Sequence, residues 1–260
     1  IGPFVGKHNR LLAKYVLNKA DMIVLREKLS RRYLEQIGVC RPKIYETTDA
    51  AFLLQASGEK RAEELFDRHV KAVKGLRVGV SVRPYDFPGE NNTNESQKHY
   101  MEVVAHLADY LVAQYGAAVF FMPQGSDGSY TDLSISRDIV NLMKNVENAC
   151  VIAEDYSPQD LKTLYGFMDV FVGVRMHAII FAWGAQVPVL AIAYEPKTLG
   201  IMESLGLHEF VSDIRTLSFD ELRDKMDTLI RNRSQIRDYL KSKIPAVQLE
   251  AQRASATTGA

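Results

Sequence analysis

From residue 11 onward, apolar positions recur by turns at helical spacing and in short unbroken runs, the alternation that builds βα units and a parallel sheet. The pattern predicts a helix over 11–18, a short strand over 21–25, a helix over 28–37 stopped by Gly38, and a strand with a turn over 44–54. Residues 56–75 read as a charged helical stretch ending at Lys74-Gly75, and a new series opens at Arg77-Val78-Gly79-Val80-Ser81-Val82. That series predicts strands over 77–82, 117–122, 149–153, 169–174, 188–193 and 209–212. Helices are expected between them at 96–115, 132–146, 158–167, 176–185 and 198–205, with two more at 218–232 and 234–243. An α/β fold follows, its six strands in the doubly wound order 3-2-1-4-5-6. In that order the first and fourth strands are neighbours, and ligands bind in the crevice at their carboxyl ends.

The division expected is 1–55 as the carboxyl-terminal part of an amino-terminal α/β domain, 56–75 as a linker helix, 76–245 as the doubly wound domain, and 246–260 as a frayed tail of small residues. Composition agrees with a folded core: 47% of the 260 residues are apolar and 25% charged, which excludes disordered and fibrous classes. Lys plus Arg equal Asp plus Glu at 32 each, so no global field attracts a polyanion, and no nucleic acid is expected as a partner. Residues 7–43 depart from that balance with ten basic residues against three acidic. A solvated basic face and contact with anionic lipid or a lipid-linked phosphate both fit that excess, so peripheral membrane association stays open. Cys40 and Cys150 lack metal-like spacing and read as small buried hydrophobes, and no metal is expected. Without a bilayer-length apolar run or a signal-like start, a cytoplasmic protein is the expectation.

The candidate chemistry lies at the carboxyl ends of strands. Val172-Gly173-Val174-Arg175-Met176-His177 puts a guanidinium and an imidazole where a strand ends and a helix begins, so an anion there would meet free helix N–H groups and a planar donor fork. The structural alternative pairs Arg175 with a surface acid and makes His177 a core histidine. Arg83 ends the first strand of the series, beside Arg175 in the expected order, and opens a loop rich in Pro, Gly and Asn that reads as a mobile cover. Glu195 and Lys197 follow the fifth strand, either as site residues or as a helix start with Pro196 in the first turn. Arg26 ends a strand in the first segment. Gln124, Ser126, Asp127, Glu154 and Asp155 also follow strands and stay unassigned, because such loops are polar in any case. No Gly-rich dinucleotide fingerprint, Walker loop or nucleophile elbow occurs.

Several segments taken in order carry a resemblance: Asp21-Met22-Ile23-Val24-Leu25-Arg26-Glu27 with Ser30 and Gly38, Thr48-Asp49-Ala50-Ala51-Phe52, the Arg175-Met176-His177 element, and Gly184-Ala185-Gln186-Val187-Pro188 leading to Tyr194-Glu195-Pro196-Lys197. Together they resemble the polysaccharide pyruvyl transferases. The resemblance implies a GT-B-like fold of two Rossmann-type domains with parallel sheets, the site in the cleft between them, and phosphoenolpyruvate as donor. Pyruvate would be placed as a ketal on a sugar of a cell-surface polysaccharide or its lipid-linked precursor, at the inner face of the membrane, with phosphate released and no cofactor. The family's Arg and His map onto Arg175 and His177 as catalytic residues, and Arg83, Glu195, Lys197 and Arg26 become substrate-binding candidates. Two mild departures are Asp49-Ala50-Ala51 where the family usually has Asp-Pro-Ala, and Met176 in place of the commoner Leu. The family's first domain starts upstream of Gly2-Pro3, so the amino-terminal domain is expected to be incomplete in this numbering. The rival reading is a GT-B glycosyltransferase or nucleotide-sugar epimerase, with the same arginine holding a nucleotide diphosphate.

Overall fold

The computed structural model describes residues 2–26, 28–125 and 130–258. By internal packing the chain forms two units, one of residues 1–53, 195–208 and 243–260 and one of residues 54–194 and 209–242.

In the first unit, α1 (Lys7–Leu17), β1 (Met22–Leu25), α2 (Lys28–Gln36) and β2 (Lys43–Glu46) are followed by a 3₁₀ turn, Ala50–Leu53. Strands β1 and β2 pair in parallel with Met22 opposite Lys43. Ile23, Leu25, Leu34 and Val39 form its small core. The linker helix expected over 56–75 is the shorter α3 (Glu59–His69), which belongs to the second unit and packs on α6 (Pro158–Gly166).

The second unit holds a six-stranded parallel sheet of β3 (Arg77–Ser81), β4 (Ala118–Phe121), β5 (Ala149–Val151), β6 (Val170–Gly173), β7 (Val189–Ala193) and β8 (Val211–Asp213). Their order is β5-β4-β3-β6-β7-β8, the doubly wound order expected. Strands β6 and β7 are buried along their whole length, which is why they read as continuous apolar runs rather than as alternation. The connecting helices are α4 (Thr93–Tyr115), α5 (Asp132–Leu142), α6 and α7 (Met176–Gly184), and after β8 comes α9 (Phe219–Arg231). Asn92, Thr131, Ser157 and Ser218 cap four of these helices through side-chain oxygens that accept backbone N–H bonds. Between β7 and β8, α8 (Pro196–Ser204) packs with α2 in the first unit.

Three expectations are corrected. Residues 246–258 are not frayed: α10 runs Arg233–Thr258 straight through Pro245. Thr48 Oγ1 donates to Val247 O at 2.9 Å, Gln248 Nε2 donates to Phe52 O at 3.0 Å, and Ala251 is buried, so tertiary contacts hold a helix that the proline signal ends early. Cys40 and Cys150 are exposed free thiols, one in the turn after Val39 and one on the edge strand β5. The loop after Arg83 is anchored, with Phe87 fully buried at φ 45° and Tyr85 N–H bonded to Gln97 Oε1 at 3.1 Å. A non-glycine residue held at positive φ marks a segment fixed by its surroundings.

Candidate functional site

The sheet register sets the site. Ser81 of β3 lies opposite Gly173 of β6, so Arg83 and Arg175 each stand two residues beyond a paired position at the switch point. Gly173 lets the following helix come close, because a Cβ there would sit 2.5 Å from Ile179 Cγ1. Helix α7 is apolar nearly all round and buried, with Met176, Ala178, Ile179, Ile180, Ala182 and Trp183 in the core. Arg175 is its N-cap, and His177 is the one exposed side chain of its first turn.

Arg175 does not pair with a surface acid. Its Nε and Nη2 both bond the carboxylate of Asp132, Nη2 donating to Oδ1 at 2.7 Å, and Asp132 has no exposed side-chain surface. Asp132 Oδ2 also accepts the backbone N–H groups of Gln124, at 3.2 Å, and Gly125, at 2.9 Å. A Cβ on Gly125 would fall 2.3 Å from Arg175 Nη2, so a side chain here would push the guanidinium aside. Burial works against the Arg175 charge, and Asp132 outweighs it, holding the guanidinium above its ordinary pKa. The side-on edge of the fork is thereby occupied. Among the described residues nothing bonds the Nη1 side of the fork, on a side chain 29% exposed.

His177 is exposed, with its ring stacked on Phe181 one turn on, centroids 6.5 Å apart, which removes the core-histidine alternative. Arg83 has protein partners: Nη1 donates to Tyr194 Oη at 2.7 Å, Nε donates to Pro84 O at 3.1 Å, and the guanidinium lies 4.7 Å from the Tyr194 ring centre. Tyr194 in turn packs against Tyr85, whose hydroxyl accepts from Arg215 Nη2 at 2.9 Å. Ser81, Tyr100 and Tyr165 are buried in the same unit, Tyr100 near the Arg83 backbone and Tyr165 near Ser81 and Gln124. Burial pushes the two tyrosines far above their ordinary pKa, so both stay protonated.

The remaining candidates belong to the first unit. Glu195 is the N-cap of α8 with Pro196 at N1, and Lys197 Nζ pairs with Glu195 at 2.5 Å, so the helix-start reading describes them. Arg26 Nη1 bonds the buried Asp49 at 2.6 Å, and Asp49 accepts from Ala51 N–H to set the 3₁₀ turn. The structure thus groups Arg83, Arg175 and His177 in one unit and Arg26, Glu195 and Lys197 in the other. Sequence reasoning missed Asp132 and Arg215. Asp132 is 43 residues from Arg175 and reads only as a helix start, though an acid in the first turn after a strand-end glycine was its visible trace. Glu27, Ser126 and Asp127 lie outside the described residues. Among the described residues no cluster of His, Cys, Asp and Glu could hold a metal ion.

The doubly wound parallel sheet of the second unit makes this an α/β protein, and its GT-B-like fold is shared with solved structures. Sucrose-phosphate synthase from Thermosynechococcus elongatus matches with TM-score 0.61 at 13% identity, over 97% of this chain and 61% of that one. HepE from Anabaena, in complex with UDP and glucose, matches with TM-score 0.61 at 16% identity, over 98% and 68%. Within that class the chain belongs to the polysaccharide pyruvyl transferase family, whose sequence profile matches residues 1–196, a stretch that includes Arg26, Arg83, Arg175, His177 and Glu195. The amylovoran biosynthesis protein AmsJ of Erwinia amylovora is 22% identical over 239 residues, 91% of this chain and 57% of that protein. The chain therefore spans less than two thirds of the length of this relative.

Proposed function

We propose that the protein transfers pyruvate from phosphoenolpyruvate to a sugar of a cell-surface polysaccharide or its lipid-linked precursor, forming a ketal and releasing phosphate. The observation that carries this reading is the pairing, at one switch point, of a fixed, partly exposed guanidinium and an exposed imidazole on the first turn of α7. Phosphoenolpyruvate carries about three negative charges near neutral pH, and fixed cations with a helix N-terminus suit it without a cofactor. Arg175 binds the anion, with Arg83 beside it.

The chemistry needs two hydroxyls of the acceptor. Protonation of the donor's methylene carbon gives an oxocarbenium-like carbon, which one hydroxyl attacks. The C–O bond to phosphate then breaks, and the second hydroxyl closes the ketal. The two hydroxyl protons account for the new methyl hydrogen and for the proton on the departing phosphate. His177 is the general acid or base, because it is the exposed imidazole on the first turn of α7 and stands two residues from Arg175.

A lipid-linked acceptor would bring the protein to the inner face of the membrane. In support, α1 exposes Leu11, Leu12, Tyr15 and Val16 beside Lys7, Arg10 and Lys14, although no described helix is long and apolar enough to cross a membrane.

Phosphate release from phosphoenolpyruvate against a panel of acceptor glycans tests the reaction, with saturation-transfer NMR for donor choice. Acceptor-dependent phosphate release is expected. Preferential binding of a UDP-sugar with no phosphate release would replace this reading with the glycosyltransferase or epimerase one.

A further inference from the structure

Asp132 is a fully buried carboxylate that accepts from four donors: two atoms of the Arg175 guanidinium and the backbone N–H groups of Gln124 and Gly125. Burying a charge pair costs desolvation, and net stability is a weak reason to keep one. What this pair does produce is direction. A free arginine at a strand end samples many rotamers, whereas Arg175 is gripped side-on, its Nη2 lies against Gly125 where a Cβ would fall 2.3 Å away, and among the described residues its Nη1/Nη2 edge is the part left over.

We propose that Asp132 is a positioning residue that holds the Nη1/Nη2 edge of Arg175 toward the donor's anion, an inference that rests on the phosphoenolpyruvate reading above. The carboxylate cancels part of the arginine's charge, so the site gives up long-range attraction and gains a fixed donor geometry. Gly125 belongs to the same device, since any side chain there displaces the guanidinium without touching the charges.

The test is a double-mutant cycle on the whole chain, using Asp132→Asn, Arg175→Gln and the double variant. Donor affinity is read by NMR titration with phosphoenolpyruvate, and thermal unfolding is followed in parallel. Asp132→Asn should weaken donor binding on the order of 10- to 100-fold, the scale of a lost partner one shell out. It should have no further effect once Arg175 is gone. The Arg175 Nε–H resonance, protected from exchange by the carboxylate, should lose that protection in Asp132→Asn. A folded Asp132→Asn protein with unchanged donor affinity would overturn the proposal, as would an equal loss in the Arg175→Gln background.

If Asp132→Asn does not fold, Gly125→Ala, which keeps the carboxylate, must show the same loss, and unchanged affinity there overturns the proposal. Wild-type protein that binds inorganic phosphate but no phosphoenolpyruvate would remove the donor reading, and the cycle is then run with phosphate, whose outcomes decide the positioning role in the same way. Wild-type protein that binds neither overturns both.

Discussion

The imidazole of His177 is exposed at the second position of α7, while every neighbour on its turn faces the core, so it is changed with little effect on packing. Replacing it with Gln should leave the fold and donor binding in place and lower kcat by about 10²- to 10⁴-fold, the range of a lost general acid or base. Steady-state kinetics decide the point: near-normal kcat with only a raised donor KM would make His177 a binding residue. A second residue-scale prediction concerns the amino-terminal edge of the sheet, where Asp169 accepts from Arg77 Nε at 3.1 Å, Nη2 at 3.0 Å and the Arg77 backbone N–H at 2.9 Å. Burial raises the Asp169 pKa, and the Arg77 contacts outweigh it, so the folded carboxyl lies below its ordinary value. A depressed folded pKa means stability that is present above the unfolded value of about 4 and fades as the pH falls below it toward the folded one. Asp169→Asn should therefore cost about 1–3 kcal/mol at pH 7 and progressively less in acid. Urea unfolding of both proteins at pH 7 and pH 3 measures this, and a gap that does not narrow in acid would remove the ion pair as its cause. Arg175 and His177 could be found from sequence because a strand end and a helix start are local features. The buried partner of Arg175 could not, since its pairing with Asp132 exists only when the β6–α7 junction meets the start of α5.

Within the βαβ unit that carries the site, helix α7 ends in a turn whose chemistry the sequence only half supplies. Val187 N–H bonds Ala182 O at 2.9 Å and Gln186 N–H bonds Trp183 O at 2.8 Å, the paired bonds of a Schellman motif. The left-handed position of that motif is usually glycine, yet here Gln186 sits at φ 63°. Gln186→Gly should stabilise the protein by about 0.5–1 kcal/mol by relieving that conformation. Denaturant titration checks it, and a loss of stability would mean that the glutamine side chain makes contacts worth more than the strain. The same contrast runs through other elements. Ser157-Pro158 and Ser218-Phe219-Asp220-Glu221 announce their helices, because capping is a matter of neighbouring residues. In α10, by contrast, Pro245 is a local stop signal that packing overrides.

Across the whole molecule the charges balance, yet the first unit carries the basic excess, and α1 combines it with exposed apolar side chains up to 67% accessible at Leu11. If the acceptor is lipid-linked, the chain should co-sediment with anionic vesicles at low ionic strength and release as salt approaches about 0.15 M, where the screening length falls to roughly 8 Å. Leu12→Glu should abolish that binding. Equal recovery with neutral and anionic vesicles would remove the membrane from the proposal.

The sheet of the second unit is legible in the residue pattern alone. Its four inner strands are buried on nearly every position, so their apolar runs and the helices between them leave one economical winding, and the order of all six strands follows from it. The sequence also places the arginines and the histidine at the carboxyl edge, since strand ends are set by local pattern. Which of those side chains are already engaged depends on long-range packing. Arg83 stacks on Tyr194, Arg175 is locked by Asp132, and Glu195 and Lys197 pair with each other, while His177 stands exposed. The reason is range: periodicity and capping depend on residues a few positions apart, but the partner of a charge depends on which distant loops the fold brings within about 3 Å.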